Sequence, residues 1–282
     1  MGRRAAPRLL VSDQDALLEV AVSAARMAGA LLLERVRRGA ERAITSKSTP
    51  TDLVSEADLA SEHAIRELLA EHRPDDGFVG EEGDRAEGAS GLEWIVDPLD
   101  GTVNFLYGIP QWCVSVAARD ADGMVAGAIY DASRNELYTA TRDGHSRLIG
   151  PAGVSELRGR GAEPAAAETD ADTLAGAMVA TGFAYDARVR AAQGAVIARV
   201  LPRVRDVRRA GSAALDLAWT AAGRYDAYFE RTVKQWDIAA GVLICERAGL
   251  VVRELPERPD LPWGILVARE ELVEPMLALV AA

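Results

Sequence analysis

Apolar residues recur every three or four positions through Leu17, Val20, Ala21, Ala24, Ala28, Leu31 and Leu32, the period of one helix face. Ser12 and Asp13 stand before this stretch as N-caps and Gly39 follows it, so the pattern predicts a long helix ending near Arg38. A polar loop over 45–52 leads to a second predicted helix, 55–72, closed by Pro74. The period then changes to that of strands. Phe78 to Gly80, Leu92 to Val96, Gln111 to Ala118, Val125 to Tyr130 and Glu136 to Ala140 read as strands, with turns at Asp122-Gly123 and Ser133-Arg134-Asn135 and one further short strand after Asp143-Gly144. This block is expected to form an antiparallel meander behind two helices.

Residues 151–172 are rich in Ala, Gly, Glu and Pro without periodicity and read as a connector. Beyond it strands and helices alternate. Strands are predicted at 174–180, 204–207, 225–230, 251–252 and 264–267, and helices at 187–201, 212–222, 236–248 and 270–280. Such alternation argues for an α/β arrangement. The expected organisation is an N-terminal α+β half over 1–150, the connector over 151–172 and a C-terminal α/β half over 173–282.

A chain of 282 residues buries enough surface to need no staples, and its 49% hydrophobic and 27% charged residues exclude general disorder. The formal net charge of −11 disfavours nucleic acid and anionic lipid as partners. A small anion remains possible where a metal ion reverses the local sign. Cys113 and Cys245 both sit in apolar runs and read as buried thiols, and two cysteines are too few for a disulfide framework or a zinc–cysteine site. No run approaches ~18 apolar residues and the N-terminus lacks a signal-peptide core, so no membrane span and a cytoplasmic location are expected. His63, His72 and His145 have no second histidine at ligand spacing. Chemistry must therefore rest on carboxylates, hydroxyls and backbone.

Acidic residues cluster where strands end or helices begin, at Gly80-Glu81-Glu82-Gly83, at Trp94-Ile95-Val96-Asp97-Pro98-Leu99-Asp100-Gly101-Thr102 and at Trp236-Asp237. In the middle cluster an apolar strand leads straight into Asp97, and Pro98, which cannot donate to a ladder, is expected to turn the chain. That turn can aim two carboxylates and the Leu99 carbonyl at one spot, a set of hard oxygens that suits magnesium. Gly101 and Thr102 then open a short helix at 103–107, whose first amides can seat a phosphate. A bare Asp-Pro or Asp-Gly is usually only a capped turn. Delivery of the acids by a buried strand, with further acids at other element ends, argues for more.

These motifs resemble the inositol monophosphatase family. The resemblance covers nearly the whole chain and includes Gly80-Glu81-Glu82, Trp94 to Phe105, Trp236 to Gly249, Asp52 to Asp58 and Gly211 to Leu217. It implies a five-layer α-β-α-β-α sandwich of the sugar-phosphatase fold, with an antiparallel sheet half and an α/β half. It also implies a homodimer that hydrolyses small phosphate monoesters with two or three Mg2+ per active site and is often inhibited by lithium. By motif match, Glu81, Asp97 and the Leu99 carbonyl would hold one metal, and Asp97, Asp100 and Asp237 a second. Thr102, paired with Asp58, would orient the attacking water, and Glu81 could help take its proton. The Gly101 and Thr102 amides would hold the phosphate. From the sequence alone Asp58 reads rather as part of a capping box at the second helix, and it is the resemblance that assigns it to the site. Lys47 would lie in a loop near a third, weak metal site, or is simply a solvated lysine.

The same resemblance places Gly211, Ser212, Ala213 and Glu230 at the sugar side of the pocket. Small residues there leave room for polyol hydroxyls, and Glu230, ending an apolar strand, can accept hydrogen bonds from them. Ser212 also reads as a helix N-cap, and Arg208-Arg209 could attract a second phosphate. Inositol-1-phosphate is the expected substrate. Histidinol phosphate and fructose 1,6-bisphosphate are the alternatives within the family, and a non-catalytic sugar-phosphate-binding relative is the alternative outside enzymes.

Overall fold

The computed structural model describes residues 9–38, 44–46, 53–83, 85–159 and 174–281, with backbone alone for 44–46 and 53–55. The first predicted helix forms as α1 (Val11–Arg38) and the second as α2 (Glu56–His72). Between them run two short antiparallel strands, β1 (Ile44–Ser46) and β2 (Leu53–Ser55). Lys47 lies outside the described residues. Seven strands follow in one sheet: β3 (Gly77–Gly80), β4 (Glu93–Asp100), β5 (Cys113–Asp120), β6 (Gly123–Asp131), β7 (Glu136–Thr141), β8 (Arg147–Gly150) and β9 (Gly153–Glu156). Their order in space follows the sequence, β3 pairs parallel with β4, and every other pair is antiparallel. A one-turn helix, α3 (Thr102–Leu106), links β4 to β5.

The second half contains β10 (Met178–Thr181), α4 (Ala187–Val200), β11 (Asp206–Arg208), α5 (Ala213–Ala221), β12 (Ala227–Arg231), α6 (Gln235–Arg247), β13 (Val251–Leu255), β14 (Gly264–Ala268) and α7 (Glu270–Val280). Its sheet has the order β11-β10-β12-β14-β13. The first three strands are parallel, β14 is antiparallel to β12, and β13 to β14.

Strand alternation sorts the apolar side chains into three cores. On β4, Trp94 and Val96 join the core under α1 and α2, whereas Ile95 faces the other way, towards α5 and α6. On β12, Tyr228 packs on the α5–α6 side, while Ala227 and Phe229 join the outer core with α7. The layers are thus α1/α2, the seven-stranded sheet, α5/α6, the five-stranded sheet and α4/α7, the five-layer arrangement implied by the resemblance. By length and composition α1 could cross a membrane, with a mean hydropathy of 1.7 in its most apolar window. Its Leu17, Ala21, Ala24, Ala25, Ala28 and Leu32 are instead buried against the sheet, as in a core helix.

Three expectations need correction. The meander is not wholly antiparallel, because β3 enters beside β4 in the same direction. The segment taken for connector begins with a strand, β9, whose Gly153-Val154-Ser155-Glu156 is exposed throughout and so carries no burial pattern. The strand expected from Leu174 starts as a 3-10 turn and becomes extended only at Met178.

In the middle layer α5 and α6 approach closely at Gly241, where a Cβ would lie 2.7 Å from the Leu217 Cβ. Alanine is intrinsically the better helix former by about 1 kcal/mol, but overpacking costs about 1–3 kcal/mol. Gly241→Ala is therefore expected to destabilise the protein by about 1–2 kcal/mol in denaturant titration. Equal or greater stability would show that the two helices part freely.

Candidate functional site

Strand β4 does not turn at Pro98. It runs on to Asp100, with a break in regular pairing between Asp97 and Asp100. Asp97 pairs with Ser115 and Asp100 with Cys113, so three steps on β4 match two on β5. Pro98 has no N–H for the ladder, and the extra residue is absorbed there as a bulge. The consequence is chemical. Residues 97 and 100 of a regular strand would face opposite sides of the sheet, and the bulge returns both to one side. The Leu99 N–H donates to Asp97 Oδ1 at 3.0 Å, and Gly101, at φ 100, swings the chain into α3.

Both aspartates meet a cavity of about 510 Å³ between the two halves. Glu81, Asp97, Leu99, Asp100, Gly101, Thr102, Gly211, Ser212, Ala213, Glu230 and Asp237, predicted from five separate stretches, all line it. Leu99 does so with its backbone, since its side chain is buried in the α1/α2 core. Asp58 lies behind the lining, fully buried, and its Oδ1 accepts the Thr102 hydroxyl at 2.8 Å. That bond ties the start of α2 to the turn after β4. The Thr102 hydroxyl also stands 3.2 Å from the Leu99 carbonyl, but its single proton is better placed for Asp58.

Asp100 joins the halves. Its Oδ2 accepts the Ser212 hydroxyl at 2.6 Å and the Ala214 amide at 2.7 Å, and its Oδ1 accepts the Ala213 amide at 3.3 Å. These are the first amides of α5, where a negative charge is favoured. The polar groups of Ser212 and Ala213 hold Asp100, and Ser212 is 1% exposed. Ser212 is also the N-cap of α5, as one of its two sequence readings had it, its hydroxyl accepting the Leu215 amide at 3.4 Å. Asp237, in the first turn of α6, accepts the Lys234 amide at 2.6 Å, so it caps its helix while lining the cavity. Both thiols are free and buried as expected, and Cys113 lies 3.8 Å from Asp100 Oδ2.

The carboxylates repel one another in a poor solvent for charge. Burial, then the charges of Glu81, Asp100 and Asp237, push Asp97 well above the carboxylate range, against the Leu99 amide. Burial likewise raises Asp237 strongly and pushes Asp100 up to about 6, although its hydrogen bonds from α5 act in the opposite direction. Burial pushes Glu230 up to about 7, against the Tyr228 hydroxyl and the Arg209 charge. Among the described residues, no three acidic, histidine or cysteine side chains form a finished metal cage. Each aspartate is drawn back onto its own donors instead. The donor set of carboxylates and a main-chain carbonyl fits a hard divalent cation such as magnesium, whose charge would relieve the repulsion.

Several supporting residues escaped the sequence reading. Glu62 on α2 accepts the Glu82 amide at 2.8 Å and pairs with Arg66 at 3.0 Å, bracing the strand exit that carries Glu81. Gly182 lines the cavity as well, and so does Arg209, which the sequence had already offered as a contact for a second phosphate.

The profile of the inositol monophosphatase family matches residues 13–280. The chain belongs to that family. It is 45% identical over 233 residues to the inositol-1-monophosphatase of Mycobacterium leprae, covering 80% of this chain and 77% of that one. It is 35% identical over 266 residues to the Nus factor SuhB of Escherichia coli, covering 93% and 94%. Among solved structures, the extragenic suppressor protein suhB of Bartonella henselae superposes with a TM-score of 0.82 at 32% identity, over 94% of this chain and 98% of that one.

The buried acids of this family member set a pH dependence. Asp100 and Glu230 titrate at about 6 and about 7 when folded, against an ordinary carboxylate value near 4 when unfolded. Between those limits the folded chain binds more protons, so stability falls as pH rises. In chelator, the melting temperature is expected to drop between about pH 5 and about pH 7.5, and magnesium should flatten that slope. A melting temperature that rises with pH in chelator would contradict the like-charge cluster.

Proposed function

We propose that this protein is a magnesium-dependent phosphatase of small phosphate monoesters and that its substrate is inositol-1-phosphate. The observation that carries this reading is the convergence of Glu81, Asp97, Asp100 and Asp237 on one cavity that also holds the Gly101-Thr102 turn and, across from it, Glu230. The matched family and relatives named inositol-1-monophosphatase support it.

In this reading Glu81, Asp97 and the Leu99 carbonyl would hold one ion, and Asp97, Asp100 and Asp237 would hold a second. Bound cations would neutralise the clustered carboxylates, acidify water and stabilise charge on the reacting oxygens. The chain's own groups then position the reactants. The amides of Gly101 and Thr102 hold the phosphate. The Thr102 oxygen, its proton committed to Asp58, is left as an acceptor for the attacking water, and Asp58 receives the proton relayed through that hydroxyl. Asp100, fixed by α5, keeps the metal-binding and sugar-binding walls at a constant separation. Glu230, held at the far wall, accepts hydrogen bonds from polyol hydroxyls.

Asp97→Asn is expected to lower kcat by about a thousandfold or more, since it weakens both ion sites, and EDTA should abolish turnover that magnesium restores. Near-native turnover of the variant, or hydrolysis that survives chelation, would refute the two-metal reading. Glu230→Ala is expected to raise KM about tenfold for inositol-1-phosphate and much less for an aryl phosphate. Equal losses on both substrates would remove Glu230 from substrate recognition.

A further inference from the structure

The Glu230 carboxylate occupies the space that a side chain at residue 182 would fill. A Cβ built on Gly182 overlaps the carboxylate carbon and both of its oxygens. The register explains why. Thr181 on β10 pairs with Phe229 on β12 in parallel, so Gly182 stands one step further along, beside Glu230. Neighbours paired in this way share a face, and only a residue without a side chain lets the acid fold across the strand end. Gly182 is not among the positive-φ glycines, so its backbone suits any residue and its role is to leave room.

A second contact fixes the same group. Tyr228 lies two residues earlier on the same face of β12, is fully buried, and donates its hydroxyl to Glu230 Oε2 at 3.0 Å. An ionised carboxylate is an acceptor only, with about four lone-pair sites. Tyr228 takes one of them and leaves the others to donors in the cavity. The charged and titratable groups facing this acid are Asp100 at the end of β4, Arg209 after β11, Asp216 on α5, Tyr228 itself and Asp237 on α6. Tyr228 is the group among them that hydrogen-bonds it.

We propose that Gly182 and Tyr228 are positioning residues that together hold the Glu230 carboxylate as a hydroxyl acceptor, so that the missing side chain at 182 sets the preference for polyol phosphates over monoesters whose leaving group carries no hydroxyl. This rests on the reading of Glu230 as the polyol contact. A site built to accept a hydroxyl discriminates sharply against ligands lacking one, but only while the acceptor is held in place. A methyl group at residue 182 evicts the carboxylate. Loss of the Tyr228 hydroxyl frees it to rotate.

The test uses the magnesium-loaded protein with inositol-1-phosphate and p-nitrophenyl phosphate. In Gly182→Ala and in Tyr228→Phe, the ratio of kcat/KM for the inositol ester to that for the aryl ester is expected to fall about tenfold, mainly through KM. The double variant Gly182→Ala/Glu230→Asp, whose shorter acid clears the new methyl group, should regain part of the ratio. In 13C NMR the Glu230 carboxyl should titrate at higher pH in Tyr228→Phe, because the lost hydroxyl favoured the ionised form. An unchanged ratio, or equal losses on both substrates, overturns the proposal. Failure of the underlying substrate reading looks different, because the wild type itself would then show no preference for inositol-1-phosphate. In that case the specificity claim falls, and the NMR titration still decides whether Tyr228 holds the carboxylate.

Discussion

The hydrogen bonds between Asp100 and the start of α5 connect everything else in this molecule. One carboxylate at the end of a strand in the first half accepts a hydroxyl and two amides from the second half. A helix N-terminus needs acceptors for its first amides, and a buried carboxylate needs donors. Each would be costly alone. Joined, they fix the distance between the wall that carries Glu81, Asp97 and Asp100 and the wall that carries Glu230. The cavity between the halves is held at its width by this contact.

The bulge in β4 is the local counterpart of that long-range contact. Two acids three residues apart cannot share one face of a regular strand, and the family resemblance requires that they do. Pro98 supplies the interruption, and the Leu99 amide, turned back to Asp97, stabilises it. The acids so gathered are hard to keep ionised without a cation, which is why burial and mutual repulsion raise Asp97, Asp100 and Asp237 together. Behind them further hydrogen bonds and an ion pair brace the elements that carry these acids. Asp58 is held by Thr102, and the Glu82 amide by Glu62 with its partner Arg66.

The far wall follows a different logic. Glu230 is not part of the acidic cage, yet it is buried enough to be raised to about 7. It sits on β12 beside the end of β10, at the point where the parallel strands of the second sheet open towards the cavity. Ligands in α/β sheets commonly bind off the ends of parallel strands. Here that general preference is given a chemical edge by one acid, one tyrosine and the space left by a glycine.

Much of this was legible in the chain. Apolar periodicity located α1, α2, α6 and α7 closely, because each buries one face over several turns, and the acidic motifs named Glu81, Asp97, Asp100 and Asp237 of the carboxylates that line the cavity, though not Asp186. The errors fell where local pattern carries no weight. Strand β9 is exposed on all its residues, so nothing in its polarity distinguishes it from a connector. Pro98 was read as a turn because sequence shows the missing donor but not the partner strand that absorbs it. Ser212 was read both as a helix N-cap and as part of the sugar side, and what the sequence could not show was its bond to Asp100, which arrives from more than a hundred residues away. The sequence by itself determined which groups could do chemistry and which faces had to be buried, since both follow from side-chain type and spacing. Only the tertiary structure decided which donor each buried acid would take and which small residue would make room for it, because those choices are settled by strand register and helix placement across the two halves.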